Sequence, residues 1–437
     1  MKNILISCNQ YKTVWSSLFL TIISGILGGY IVASAVASYF MITQSKDHTP
    51  QLLLILFLTT FFLGDNISGS YGFANNLRFV IIGINFIYLL RYQIFSSNNG
   101  IYLWPLTIWA LISTSFGIFN DSGALLRAIA YLFVGLSIFN LNKILLQKNA
   151  LSYYQIIYLF LLLFFSVNVL SLFVPIGKDV WLAGRFRGLM HNPNGLGILI
   201  VLAYPFIDLI HDKAPSLFTK KNNTVFRILL IFLVILTGSR NAIFSIVIYE
   251  LTVRFLSKKP ILLIIVFFVI IFLYFNIEKQ DIFNVIKSLG LSEQLRINSL
   301  MDASGRTDVW KVAWKEAQNN LWVGNGMMYD YRFIYIYKMK YFGENAPRAW
   351  NGIWNSYLSL VLNIGLIGMA CYAYFIKKVF EKAQNTQLAI AFLITALFSG
   401  ITESWMAASM NGFTPLFFLY WGVQSGNKLE SDKVMKC

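Results

Sequence analysis

The chain has 437 residues, a length that alone would suit two or three soluble domains. Its composition excludes them: hydrophobic residues make up 57%, aromatics 16% and charged residues only 12%, with a mean hydropathy of +0.63. A soluble interior of this size cannot hide so much apolar surface, and the net charge of +16 reads as cytoplasmic loops rich in Lys and Arg, with no nucleic-acid partner.

The expected fold class is all-α, a polytopic transmembrane bundle forming one membrane domain over 1–437. A crossing needs about 20 apolar residues. Suitable runs, some of them short, fall near 14–43, 51–63, 77–91, 101–119, 122–141, 151–175, 194–211, 226–238, 241–256, 260–277, 351–376, 386–402 and 405–423. That predicts about 12 spans. The start, Met1–Lys12, is short and weakly basic, and the apolar run after it is too long for a cleaved signal peptide. Cys8, Cys371 and Cys437 lie in two tails and one apolar run, forming neither a disulfide framework nor a metal site.

Four basic clusters alternate correctly if all are cytoplasmic: Lys213 with Lys220, Lys221 and Arg227; Arg254 with Lys258 and Lys259; Lys377, Lys378 and Lys382; and Lys428, Lys433 and Lys436. The segments between them then face outward: 176–193, the turn Thr237 to Asn241, the long stretch 278–350, and the turn Thr402 to Ser404. For the N-terminus the signs conflict. An odd span count places it outside, whereas Lys2 and Lys12 argue for inside. The 278–350 stretch is the large outward loop, partly helical, as around Asp308 to Asn319.

Outward loops avoid basic residues, so the arginines that persist there need a reason. Segment 184–195 carries Arg185, Arg187 and His191 just before a helix start marked by Asn192-Pro193. Arg240 sits in the near-loopless turn Thr237–Asn241, Arg306 at the helix start Gly305-Arg306-Thr307-Asp308, and Glu403 in the turn Thr402-Glu403-Ser404. Each alone suits a bland role, such as snorkelling to headgroups or a local ion pair. Together they put guanidiniums from distant segments on one face. Arg binds phosphate through bidentate, charge-assisted bonds and keeps its proton, so a lipid-linked diphosphate is the ligand class they suit.

In this order the segments resemble the O-antigen ligase/polymerase superfamily of bacterial envelope proteins. The matching pieces are Arg187-Gly188 with Asn192-Pro193-Asn194, Ser239-Arg240, Gly305-Arg306 with Trp310, Gly324-Asn325-Gly326, and Asn355-Ser356-Tyr357-Leu358 with Gly365-Leu366-Ile367-Gly368. The resemblance spans residues 184–368. It implies glycosyl transfer on the periplasmic face of the inner membrane, independent of metal or other cofactor. The implied donor is a glycan on undecaprenyl diphosphate. Arg187, Arg240 and Arg306 would contact the diphosphate, with Arg185 as a neighbour. Ligases of this family carry a His before the Asn-Ser pair, where this chain has Trp354. Indole cannot accept a proton, so the polymerase branch is the better match. Glu403 is then the candidate base and His191 the second. The resemblance also implies a separate chain-length-regulating co-polymerase as partner, beside membrane lipids.

Two other readings stay open: an O-antigen ligase acting on lipid A-core, and a transporter or flippase of a lipid-linked or anionic substrate. A transporter is expected to carry charge near the midplane and paired repeats. Here charge gathers at helix ends. The aromatics of 322–357, among them Trp322, Tyr335, Trp350 and Trp354, suit an interfacial belt or a platform for sugar rings.

Overall fold

The computed structural model describes residues 11–46, 48–66, 69–90, 98–117, 122–174, 179–256 and 306–426. The apolar run 260–277, the part of the long loop before residue 306, the Lys258–Lys259 pair and the C-terminal lysines lie outside the described residues.

Most predicted runs form helices, because an apolar segment in lipid satisfies its backbone only within itself. In chain order these are α1 (Lys12–Thr43), α2 (Thr49–Leu63), α3 (Phe73–Leu90), α4 (Trp104–Ser115) and α5 (Ser122–Leu170). They continue with α6 (Pro193–Ala203), α7 (Phe206–Lys213), α8 (Lys220–Thr237), α9 (Arg240–Leu251), α10 (Arg306–Ala317) and α11 (Tyr329–Tyr341). The last are α12 (Ser356–Phe380), α13 (Thr386–Ser399) and α14 (Phe413–Gln424). Among the described residues, five helical stretches are long and apolar enough to cross a membrane: Lys12–Thr43, Phe73–Leu90, Ser122–Leu170, Pro193–Lys213 and Ala349–Phe380. Helices α2 and α13 are apolar but shorter. The chain is an all-α membrane protein, and among the described residues length and composition mark out five candidate spans.

Burial separates the helices into layers. Leu27, Ile31 and Ile42 of α1 are exposed, as expected for a helix in contact with lipid. The α6–α7 stretch is buried almost throughout and lies at the centre. Three of the long helices are interrupted, α1 among them at Gly29 (φ 72°, ψ −169°). Asn149 (φ −161°, ψ 96°) divides α5 where two predicted runs meet, and its side chain accepts from the Ser152 N–H. Gly365 (φ 65°, ψ −173°) breaks α12.

The break at Gly365 is filled by segment 321–326. Asn325 N–H donates to Leu362 O, Gly326 N–H to Asn363 O, and Leu366 N–H back to Leu321 O. A Cβ on Gly365 would stand 2.3 Å from Trp322 O. Two motifs of the resemblance, Gly324-Asn325-Gly326 and Gly365–Gly368, therefore meet each other and serve the fold. Beyond residue 306 the loop is helical and has its own small core, with Val309, Ala313, Ile334, Trp350 and Ile353 packed on Val361 and Leu362 of α12.

One element departs from the helical expectation. Trp181–Leu182 (β1) and Arg185–Phe186 (β2) pair as a minimal antiparallel hairpin, with Leu182 opposite Arg185. Ala183 and Gly184 at its tip both have positive φ, 51° and 71°. That is the turn whose twist matches a two-residue hairpin.

Candidate functional site

Three helix starts and a turn meet at one end of the bundle. At α6, Asn192 is the N-cap and Pro193 the first helical residue; the Asn192 side chain accepts from Gly195 N–H at 2.7 Å. At α12, Asn355 caps in the same way, accepting from Tyr357 and Leu358 N–H at 3.0 Å each. Helix α10 opens on Arg306 itself. Such starts leave N–H groups and the positive end of the dipole facing outward, which favours anions.

The hairpin aims Arg185 into this junction. Its Nε donates to Thr237 O at 2.7 Å and one terminal nitrogen to Asn194 Oδ1 at 2.6 Å. The Asn194 amide nitrogen donates in turn to Glu403 Oε1 at 2.7 Å. Arg306 reaches the same carboxylate oxygen at 3.4 Å and also donates to Thr402 O. One carboxylate thus receives Asn194 and Arg306 together, and Asn194 joins it to Arg185.

A cavity of about 390 Å³ opens in front of this network. Arg185, His191, Asn194, Arg306, Asn351 and Trp354 are among its lining residues. The Arg306 guanidinium lies 5.4 Å from the centre of the Trp354 ring. Trp354 holds a positive φ of 54°, and its indole N–H is tied to Ala349 O at 2.9 Å. A non-glycine residue held in the left-handed region is strained, and such strain gathers at functional sites. Here Trp354 is a cation–π platform under an arginine.

Glu403 is buried, 9% exposed, behind Asn194 and Arg306. Burial pushes its carboxyl above the ordinary carboxylate value; the charge of Arg306, the Asn194 amide and the charge of Arg185 pull it back only in part. Its backbone is fastened as well. Ser356 Oγ donates to Glu403 O at 2.6 Å and accepts from Met406 N–H, while Ser356 N–H donates to Gly400 O.

Of the predicted site residues, Arg185, Arg306 and His191 line the cavity, and Glu403 lies directly behind it. Arg187 and Arg240 stand outside the lining. Arg187 braces its own loop, donating to Asp179 O at 2.9 Å and His191 O at 3.3 Å. The glycine after it (φ 53°) approaches Asn168 so closely that a Cβ would lie 2.1 Å from Asn168 Oδ1. Arg240 is half-buried at the first position of α9, beside the turn that Arg185 grips. Three contributors were not among the predicted site residues: Asn194 as bridge, Trp354 as platform under an arginine and Ser356 as fastener. The cap Asn192-Pro193 was legible as a helix signal, and Asn355 only as part of a motif; which side chains face them was not.

Residues 225–373 match the O-antigen ligase family. This stretch is similar to that family, consistent with the O-antigen ligase/polymerase superfamily. The matched part covers about a third of the chain and includes Arg240, Arg306, the broken α12 and the Asn355–Ser356 cap. Arg185, His191, Asn194 and Glu403 lie outside it and join the superfamily segment only in space. Members of that superfamily are glycosyltransferase-like, and the similarity supports a membrane enzyme in general terms. No curated protein matches the chain in sequence.

Proposed function

We propose that the chain is a surface-polysaccharide polymerase that joins oligosaccharide repeat units carried on undecaprenyl diphosphate, at the periplasmic face of the bacterial inner membrane. The observation that carries this reading is the shared cavity: two guanidiniums, Arg185 and Arg306, with the Glu403 carboxylate hydrogen-bonded directly behind them.

In the proposed step an acceptor hydroxyl gives its proton to Glu403 while its oxygen attacks the anomeric carbon of the donor. The bond from that carbon to the diphosphate oxygen breaks, and undecaprenyl diphosphate leaves with the electron pair. Arg185 and Arg306 meet the charge that grows on the leaving oxygens, so their contribution is larger in the transition state than in the ground state. Glu403 Oε1 is occupied by Asn194 and Arg306, so Oε2 is assigned to the hydroxyl. His191 lines the cavity and is the second candidate for proton handling. Arg187 and Arg240 are assigned the flanking diphosphate oxygens, and a separate co-polymerase sets chain length.

The O-antigen ligase match supports a second reading, transfer of finished glycan to lipid A-core. Trp354 at the position of the ligase histidine weighs against it. The surface glycan of a deletion strain, run on a gel, separates the two. A ladder collapsed to single-repeat decoration is the polymerase outcome. Loss of all transferred glycan, with lipid-linked polymer still made, is the ligase outcome, and an unchanged profile removes both.

A further inference from the structure

A second cavity, of about 550 Å³, is a groove between α8 and α9 that the step above does not use. Its rims are apolar and exposed: Ile231 and Ile235 on α8, Val247 and Leu251 on α9. Val234 and Ile246 are buried and form its floor. The two ends differ in chemistry. Toward the turn Thr237–Asn241 the lining is aliphatic, whereas Tyr204, Arg227, Glu250 and Arg254 line the opposite end.

The charged end is a built structure. Arg227 donates to Asp208 and, at 2.7 Å, to Glu250 Oε1, with its guanidinium 5.5 Å from the centre of the Tyr204 ring. The Tyr249 hydroxyl donates to the other Asp208 oxygen at 3.0 Å. Both carboxylates are thus engaged from within the bundle. Arg254 lies in the wider, π-helical turn Thr252–Leu256 that follows α9, and Gln387 of α13 pins this turn by donating to Val253 O at 2.8 Å. Arg254 meets Glu250 Oε2 through Nε at 2.7 Å, and its side chain stays 63% exposed. Among the described residues its two terminal nitrogens have no hydrogen-bond partner, and that pair is the fork with which Arg grips phosphate. One turn before Thr224, which lines the same end, Lys220 is exposed on the same helix face. Cations therefore outnumber carboxylates at this end, which complements an anion.

The order of charge and apolar wall selects the kind of ligand. From Thr224 to Ile235 the helix rises about 16 Å. That is about half the ~30 Å hydrocarbon thickness, the depth of one leaflet. A prenyl tail whose diphosphate sat in the cavity of Arg185 and Arg306 would enter at Ile235 and end with hydrocarbon against Arg227, Glu250 and Arg254, which is costly. A lipid with its phosphate at Arg254 meets guanidinium at its head and aliphatic walls along its chain. Basic pockets between helices at a membrane surface take acidic lipid headgroups in this way.

We infer that the groove between α8 and α9 seats one acidic phospholipid, its phosphate on the terminal nitrogens of Arg254 beside Lys220 and one acyl chain between Ile231 and Val247. The charge rule expects this end to face the cytoplasm, so the lipid comes from the inner leaflet. It splints α8 to α9, whose connecting turn gives Thr237 O to Arg185. The inference stands independently of the transfer reading above.

The test uses the full-length protein in detergent and native mass spectrometry, with phosphatidylglycerol and phosphatidylcholine of identical acyl chains as probes. Wild type is expected to bind phosphatidylglycerol at least tenfold more tightly than phosphatidylcholine, and Arg254→Gln to lose that preference. Val247→Trp fills the groove, leaves the charged end intact and should weaken phosphatidylglycerol tenfold or more. Equal affinity for the two probes in wild type would overturn the inference. So would phosphatidylglycerol affinity within twofold of wild type in either variant. Undecaprenyl phosphate that displaces phosphatidylglycerol from wild type would give the groove to the carrier lipid and overturn it as well. The wild-type comparison decides on its own should either exposed substitution unfold the protein.

Discussion

Glu403 is held from two sides, by Asn194 and Arg306 at its carboxylate and by Ser356 at its backbone. A base so fixed loses little by reorienting and depends strongly on its charge. Glu403→Gln keeps the shape and removes the proposed base, so turnover is expected to fall by about 100-fold or more with the melting temperature unchanged. In the proposed step the carboxylate form is the active one, and burial raises its pKa, so activity is expected to fall as pH drops, with the acidic limb above the ordinary carboxylate range. Asn194→Asp removes a donor that lowers that pKa and adds a second carboxylate beside Arg185. Its expected effect is an acidic limb displaced further upward in the pH–rate profile, and a limb that stays put would dismiss Glu403 as the titrating group. Trp354→His would restore the residue type of the ligase branch but remove the platform under Arg306. A cation–π contact is worth roughly 0.5–2 kcal/mol, so donor binding should weaken by about 2- to 30-fold with no gain of ligase activity.

At the scale of elements, α12 links the fold to the chemistry. Its break at Gly365 admits the 321–326 segment, and its cap holds the Glu403 turn. Gly365→Ala combines a left-handed φ of 65° with a Cβ 2.3 Å from a carbonyl oxygen. Left-handed backbone alone costs about 1–2 kcal/mol, and neither neighbour is a flexible side chain that could move aside. The variant should therefore lose folded protein or melt markedly lower in detergent. Ser356→Ala strips one bond each from Glu403 O and Met406 N–H, a loss of about 1–3 kcal/mol for buried groups. Its distinguishing outcome is reduced turnover with undecaprenyl diphosphate binding retained, measured on the same preparation.

For the molecule as a whole, segments 184–194, 237–241, 306 and 400–404 gather at one end, and the charge rule expects that end to face outward. Labelling with a membrane-impermeant thiol reagent checks the sidedness in a background without native cysteines. A cysteine at His191 should react in intact spheroplasts, and one at Lys220, exposed at the start of α8, only after permeabilisation. Reaction of Lys220→Cys alone would invert the topology and with it the periplasmic placement of the site.

The composition and the apolar runs by themselves determined an all-α membrane protein, because lipid leaves a helix as the only way for an isolated apolar segment to satisfy its backbone. The arginines in segments read as outward and the helix start at Asn192-Pro193 were also written locally, in residues whose neighbours in sequence are enough to single them out. The site was not. Which arginine faces the cavity depends on a two-residue hairpin that turns Arg185 inward and leaves Arg187 on its own loop. The pairing of Glu403 with Asn194 spans 209 residues, and that of Ser356 with Glu403 spans 47. Contacts of that kind leave no periodicity in the chain. They exist only because helix packing brings separate helix starts to one end of the bundle, and there tertiary structure alone decided which of the candidate charges share a cavity.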